Sequence, residues 1–499
     1  MFESLSRFMQ ESRRAGLQGL LLITWACAAH AENPSVAPVP GHPVLLLSGF
    51  DLGPLGFTTE EFFISGTASA YRLAGTQSPD GHWHASPAQT APYVTRIVTV
   101  RPTDPNKFNG TVVVEWLNVS GGADATPDWN AAHRLLMREG FAYVGVSAQK
   151  VGVEGGPSLG ALGRPLKKAN PDRYGPLSHP GDAFSYDIFS QAGGLLRAPD
   201  ASHVLGNLVP KGIIAVGESQ SAVFLTTYVN AVDPLAKVYD GFLIHSRFGS
   251  PARLDGASMI DATPDSRPQP AKLRTDLRVP VITVITETDL LGPGLPGFYR
   301  ARQPDNPKLR IWEVPGTSHA DNYTFGVGFI DSGATPLDKL AVGYEPTAKI
   351  LGVLLAKPIN FGPQHHYVVE AALWSLDRWI RTGQAPPQAN RIKLTQSDPP
   401  EIALDSNGEA EGGIRTPWID VPTATLSGSG NSGGPLAHLV GVSEPFEATR
   451  LDRIYPGGKS EYLRKFEASL SAAIEAGFIL PADRWEILEL AALGYRGSH

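Results

Sequence analysis

The sequence predicts an α/β fold: a mostly parallel sheet with helices on both faces and antiparallel strands leading into it. Three observations carry this. β-branched runs at residues 111–118, 141–148, 213–216 and 279–286 alternate with stretches of helical periodicity. Strand, helix and strand in that succession imply right-handed crossovers and parallel neighbours. One of the runs stops at Gly217-Glu-Ser219-Gln-Ser221, where the pattern changes at once to that of a helix.

The first 31 residues have the make-up of an export signal. Arg7, Arg13 and Arg14 form a basic start, and Leu20-Leu21-Leu22-Ile23 centres an apolar stretch. Ala29-His30-Ala31 fits a small-x-small cleavage pattern. The apolar stretch is shorter than the ~20 residues a spanning helix needs. A mature chain without a stable membrane span, exported to the periplasm or beyond the cell, is therefore expected. Ser12-Arg13-Arg14 with Leu17 loosely resembles a twin-arginine signal, with Gly16 where an apolar residue is usual. Cys27 is the only cysteine. Cleavage after Ala31 would leave no thiol, excluding disulfides, cysteine metal sites and cysteine nucleophiles.

Hydrophobic residues make up 42% of the chain and charged residues 18%, which excludes a largely disordered protein. Lysine and arginine (42) against aspartate and glutamate (49) leave a net charge of −7, with no basic stripe, so nucleic acid is not an expected partner. Residues 32–499 read as a single catalytic domain. Insertions are expected near 247–278 and 320–362, and a helical extension at the C-terminus.

Taken in order, residues 32–60 are rich in proline and glycine and read as extended chain. Residues 62–68 and 94–100 read as antiparallel lead-in strands, with His82-Trp83-His84 in a surface loop between them. The strand at 111–118 is followed by Val119-Ser120-Gly121-Gly122. A helix over 129–139 follows, with Asp128 as its expected cap and Gly140 as its stop. After the strand at 141–148, a helical pattern over 186–197 leads to the strand ending at Gly217. Strands at 241–245, 279–286 and 308–314 complete the sheet. Helices are expected near 367–382, with Trp374 and Trp379 in the core, and over 461–477 and 482–492.

The chemistry gathers at strand ends, as it does beyond the carboxyl ends of parallel sheets. Ser219 sits at a sharp strand-to-helix turn flanked by the small residues Gly217 and Ser221, a nucleophile elbow in a G-x-S-x-S version. A serine hydroxyl needs a base to become nucleophilic, and imidazole titrates in the right range. His319, in Pro315-Gly-Thr-Ser-His319 after the last strand, fits that role. A carboxylate must orient the imidazole. Asp289, in Thr286-Glu-Thr-Asp289, is preferred, and Glu287 is the alternative acid. The oxyanion hole is expected from the backbone N–H of Gln220 and one of Ser120, Gly121 and Gly122. His133, His203, His245 and the pair His365-His366 have structural readings. Ser432, in an Asn-Ser-Gly-Gly string, is read as coincidence.

On these residues the chain resembles the α/β-hydrolase superfamily, and more narrowly bacterial exported proteins known only as α/β-hydrolase-domain proteins. The segments that carry the resemblance are 114–122, 217–222, 286–290, 312–321 and 413–422. The resemblance implies ester hydrolysis through an acyl-enzyme, with no cofactor and no metal. A small-molecule or polymeric ester is the expected substrate. An amidase or peptidase, or a depolymerase of an extracellular polyester, would use the same three residues. A non-catalytic binding protein on this scaffold would be expected to have lost one of them. A zinc hydrolase would need an H-E-x-x-H cluster, which the sequence lacks.

Overall fold

The computed structural model describes residues 34–499 except 161–162, 199–201, 435 and 499. The expected export signal, its cleavage site and Cys27 lie outside the described residues. The frame of the molecule is a nine-stranded sheet: β1 (Ser35–Pro38), β2 (Phe57–Leu73), β3 (Ala85–Pro102), β4 (Thr111–Trp116), β5 (Ala142–Val146), β6 (Gly212–Glu218), β7 (Gly241–His245), β8 (Val281–Thr286) and β9 (Leu309–Val314). Their spatial order is β1-β2-β3-β5-β4-β6-β7-β8-β9. The first three strands pair antiparallel, as does β3 with β5, and all later neighbours are parallel.

The principal helices are α1 (Pro127–Arg138), α2 (Ser185–Leu195), α3 (Gln220–Thr227), α4 (Glu287–Leu291), α5 (Gln364–Thr382), α6 (Gly458–Glu475) and α7 (Arg484–Gly494). The central strands are buried on both faces, which is why they read as unbroken apolar runs. Their successive residues nevertheless part to opposite sides. Val112, Val114, Ile213 and Ala215 join Phe189 of α2 and Phe224 of α3 in one core. Val113, Ile214 and Val216 join Trp129 of α1 and Leu376 and Trp379 of α5 in the other. Trp374 packs at the edge of that second core. Near the C-terminus, Tyr462 and Phe466 of α6 and Ile487 of α7 form a satellite core with Tyr367.

Several expected boundaries move. The lead-in strands are far longer than their most regular stretches suggest, because β2 and β3 stay paired through a bulge at Ser69/Tyr71. Within 32–60, β1 pairs with β2 over four residues. The 320–362 stretch contains a short helix (Leu337–Gly343) and a small hairpin, Lys349–Ile350 with Val353–Leu354. Asp128 does not cap α1. The helix begins two residues earlier than expected, at Pro127, with Thr126 at the cap position, and its first N–H groups donate to the buried Glu115 carboxylate (Asp128 N and Trp129 N, both 2.9 Å). Among the described residues, no helix is long and apolar enough to cross a membrane.

The strand order positions the site. The chain steps from β4 to β5 on one side, then returns to place β6 on the other side of β4. Loops leaving β4 and β6 therefore diverge and open a crevice at their carboxyl ends, the usual ligand position in open α/β sheets.

Candidate active site

Ser219 follows β6 with φ 57° and ψ −119°, a conformation that a non-glycine residue adopts only when its surroundings enforce it. The enforcement is local. Ser219 N–H donates to the His245 carbonyl at the end of β7 (3.0 Å), and Ser219 carbonyl accepts from Val223 in α3 (3.2 Å). A Cβ at Gly217 would lie 3.0 Å from Leu225 Cδ1 and 3.1 Å from Ser221 Cβ, so both small residues of the motif are used.

His319 Nε2 lies 2.7 Å from Ser219 Oγ, and its Nδ1 lies 2.6 Å from Asp289 Oδ1. His319 is presented by the turn after β9, where Thr317 Oγ1 donates to the Val314 carbonyl (2.6 Å) and His319 N–H donates to Thr288 Oγ1 (3.1 Å). Asp289 occupies the third position of α4. Its Oδ2 accepts from the Thr286 N–H (3.1 Å) and hydroxyl (2.6 Å) in a capping box. One carboxylate thus caps the helix with one oxygen and meets the imidazole with the other. Burial pushes the Asp289 carboxyl up, but His319 and the Thr286 donors hold it below the usual range. For His319, burial alone would lower the pKa, while Asp289 and then Glu218 raise it to about 9.

Glu287 does not face His319. Its Oε1 accepts from Gly316 N–H (2.6 Å) and its Oε2 from Gly428 N–H (2.8 Å). Burial pushes it up to about 7 against those two donors. It ties the turn that carries His319 to the strand-flanked loop at Gly428, and the geometry brings Asp289, not Glu287, to the imidazole.

The loop after β4 is closed by reciprocal backbone bonds between Asn118 and Ala125 (3.0 and 2.8 Å). Asp124 anchors it through the buried Arg96 (2.9 Å) and the Ser147 hydroxyl (2.5 Å). Ser120 N–H is spent on Asn118 Oδ1 (2.8 Å) and Gly122 N–H on the Val119 carbonyl (2.9 Å). Among the described residues, the Gly121 and Gln220 N–H groups have no internal acceptor. Gly121 borders the same cavity as Ser219.

Other polar residues complete the crevice. Glu218 Oε1 lies 3.2 Å from His319 Nε2, and Asn118 Nδ2 donates to Glu218 Oε2 (3.3 Å). Burial pushes the Glu218 carboxyl up to about 8, with His319 opposing. Beside it runs a buried chain: Asp128 Oδ1 to His245 Nδ1 (2.9 Å), His245 Nε2 to His365 Nε2 (2.8 Å), His365 Nδ1 to Asp321 Oδ2 (3.3 Å). An imidazole–imidazole contact of that length needs one N–H and one lone pair. His245 and His365, read from sequence as structural, thus line the cavity. The signal for His245 was its strand-end position. His133 does keep a structural role, with both ring nitrogens on backbone carbonyls (Asn130, 3.0 Å; Asp331, 2.6 Å). Ser432 is exposed in a loop. His82 meets Thr275 (2.9 Å), and among the described residues no group of three or more His, Cys, Asp and Glu could hold a metal ion.

Comparisons with known proteins bear on the frame. Among solved structures, the chain is similar to an esterase from Pyrococcus furiosus (11% identity, 57% of this chain and 89% of that one, TM-score 0.28). It is similar to a serine hydrolase without lid from Xanthomonas campestris (12% identity, 55% and 93%, TM-score 0.28). A thermostable esterase from Pseudomonas putida is matched at 10% identity over 48% of this chain, TM-score 0.26, and the chain spans 66% of that esterase's length. No curated protein matches the sequence. The model of one family, described as alpha/beta hydrolase domain, matches residues 28–489, nearly the whole chain. With a mostly parallel sheet, antiparallel lead-in strands and a strained serine after the sixth strand, the chain belongs to the α/β-hydrolase domain family.

Proposed function

We propose that the protein is a serine hydrolase that cleaves carboxylic esters through an acyl-enzyme, with Ser219 as nucleophile, His319 as base and Asp289 as orienting acid. The observation that carries the reading is the unbroken run Ser219 Oγ–His319 Nε2 and His319 Nδ1–Asp289 Oδ1 at 2.7 and 2.6 Å, on the elbow of an α/β-hydrolase sheet. His319 Nε2 accepts the serine proton as Oγ attacks the ester carbonyl. Asp289 stabilises the imidazolium that forms. The new oxyanion takes the free N–H groups of Gln220 and Gly121, pre-aimed by the elbow and by the Arg96–Asp124 anchor. His319 then returns the proton to the leaving alcohol, and water repeats the sequence to release the acid.

Ser219→Ala is the direct test. Hydrolysis of p-nitrophenyl butyrate should disappear with the melting temperature unchanged, and persistence of the rate would overturn the reading. Parallel assays on an anilide and on an insoluble polyester separate the esterase from an amidase or depolymerase with the same residues. The reading includes export: the mature protein should begin at Glu32, which N-terminal sequencing of exported protein decides.

A further inference from the structure

The side chains of Asp128, His245, His365 and Asp321 join four separate elements across the carboxyl end of the sheet: α1, β7, α5 and the loop after β9. All four are buried, and they lie outside the run from Ser219 to Asp289. Two of them nevertheless belong to segments that hold the reacting groups. The His245 carbonyl accepts from Ser219 N–H (3.0 Å), and Phe248, three residues on, stacks over the His319 ring (centroids 5.3 Å apart, planes 25°). Asp321 lies two residues after His319. Its Oδ1 closes the loop there, accepting from the Thr324 N–H (2.9 Å) and hydroxyl (3.0 Å).

Protons decide whether these four residues stay joined. Their three contacts, at 2.9, 2.8 and 3.3 Å, each need one proton between two heavy atoms. Two neutral imidazoles bring two protons, and ionised carboxylates bring none. With two protons only, one contact always sets a lone pair against a lone pair, whichever tautomers are chosen. A third proton is therefore required. The two aspartates differ in how well each could do without it. Among the described residues, Asp128 Oδ2 is buried with no hydrogen-bond donor, whereas both oxygens of Asp321 accept. A buried carboxylate with one bare oxygen is far costlier than a neutral carboxyl in the same place. Facing the four residues are Glu115 from β4, Glu218 from β6, Asp289 from α4, His319 and, beside His365, His366. A charge on Asp128 would repel Glu115 and Glu218. Burial pushes the Asp128 carboxyl up to about 8, with His365 opposing. With the proton on Asp128, every donor runs one way: Asp128 O–H to His245 Nδ1, His245 Nε2–H to His365 Nε2, His365 Nδ1–H to Asp321 Oδ2.

Resting on the serine-esterase reading above, we propose that Asp128 carries the third proton of a one-way hydrogen-bond chain, and that this chain makes His245 and His365 positioning residues that hold the elbow and the loop of His319 for reaction.

The two aspartates then have opposite duties, although each faces an imidazole. Asp128 donates, so an amide can stand in for it. Asp321 accepts on both oxygens, so an amide cannot. The sign of the pH effect follows as well. The chain is complete while Asp128 is protonated and breaks as rising pH removes that proton. This adds a one-proton alkaline limb to kcat/KM, beyond the acid limb set by His319.

The test replaces each aspartate by alanine and by asparagine in the purified protein and follows hydrolysis of p-nitrophenyl butyrate across pH. Asp128→Ala should lower kcat at least about tenfold, the scale of a misplaced reacting group. Asp128→Asn should restore most of that loss and should lack the alkaline limb. Asp321→Asn should be as slow as Asp321→Ala. NMR of the parent with labelled histidine ring nitrogens reads the protons directly, the two rings being identified by nitrogen–nitrogen coupling across their shared hydrogen bond. One ring should be protonated only at Nε2 and its partner only at Nδ1. Equal behaviour of the two asparagine variants, an alkaline limb absent from the parent or retained in Asp128→Asn, or both Nδ1 atoms protonated would each overturn the proposal. Fluorophosphonate labelling of the same preparations keeps the two readings apart. Ser219 labelled and the ester cleaved, with any of those results, removes only the chain. No labelling and no hydrolysis in the parent removes the esterase reading and the positioning role with it.

Discussion

Asp289→Asn keeps the shape of the side chain and removes its charge. In the parent, Oδ2 accepts from both Thr286 donors and Oδ1 accepts from His319 Nδ1. The amide has a single acceptor. With that oxygen kept on the Thr286 donors, its NH₂ group faces His319 and can only donate. Nδ1 must then carry the lone pair and Nε2 the proton. The Nε2–H points at Ser219 Oγ, 2.7 Å away, and has nothing with which to accept the serine proton. Turnover should fall on the order of 10⁴-fold, as when the corresponding acid of a serine protease is neutralised. That equals about 5.4 kcal/mol of transition-state stabilisation at 1.36 kcal/mol per decade. The cap on α4 survives, so the melting temperature should change little. Steady-state turnover of p-nitrophenyl butyrate, with circular dichroism melting, measures both. Turnover within tenfold of the parent, accompanied by collapse in Glu287→Gln, would refute the tautomer argument and move the acid to Glu287.

Glu287→Gln should behave in the opposite way. It can accept only one of the Gly316 and Gly428 N–H groups and turns a donor towards the other, at a cost of about 1–3 kcal/mol in stability, while turnover per folded molecule stays near that of the parent. Denaturant melts beside kcat check this. Glu218→Gln removes one of the two carboxylates that raise His319. The base works when neutral, so raising its pKa moves the acid limb of kcat/KM upward from the usual imidazole range, and the variant should move that limb to lower pH. An unshifted pH profile would contradict it. Gly217→Ala forces a Cβ to 3.0 Å from Leu225 Cδ1 and 3.2 Å from the Ser221 backbone carbon. Overpacking of this kind should cost about 1–3 kcal/mol and disturb the elbow, visible as a lower melting temperature and a lower kcat.

How much of this was legible in the sequence differs residue by residue. Ser219 was, because the motif needs only a local succession: a buried strand, small residues on either side of the turn, and a helix. That His319 and Asp289 come together beside Ser219 was legible because each follows a strand whose neighbours in a parallel sheet are predictable. The separate duty of Glu287 was not. It depends on Gly428, 141 residues away, arriving beside the base's turn. Asp128 read as a helix cap because helix starts favour aspartate, and nothing local says that Glu115 on the preceding strand already takes those N–H groups. His245 and His365 meet across 120 residues, one at a strand end and one in the first turn of α5. Only the packing of that helix across the sheet brings them together. Which of the loop's three N–H groups is left without an internal acceptor likewise depends on the loop's own hydrogen bonds, since all three look alike in the sequence.

The central claim is that Ser219 is the activated nucleophile. Its most direct test is treatment of the purified protein with a fluorophosphonate, followed by peptide mass spectrometry to locate the adduct. A single adduct on Ser219 is predicted, formed with loss of all esterase activity and absent when His319 is replaced by alanine. An adduct on Ser221 or Ser432, or full activity with Ser219 modified, would contradict the account.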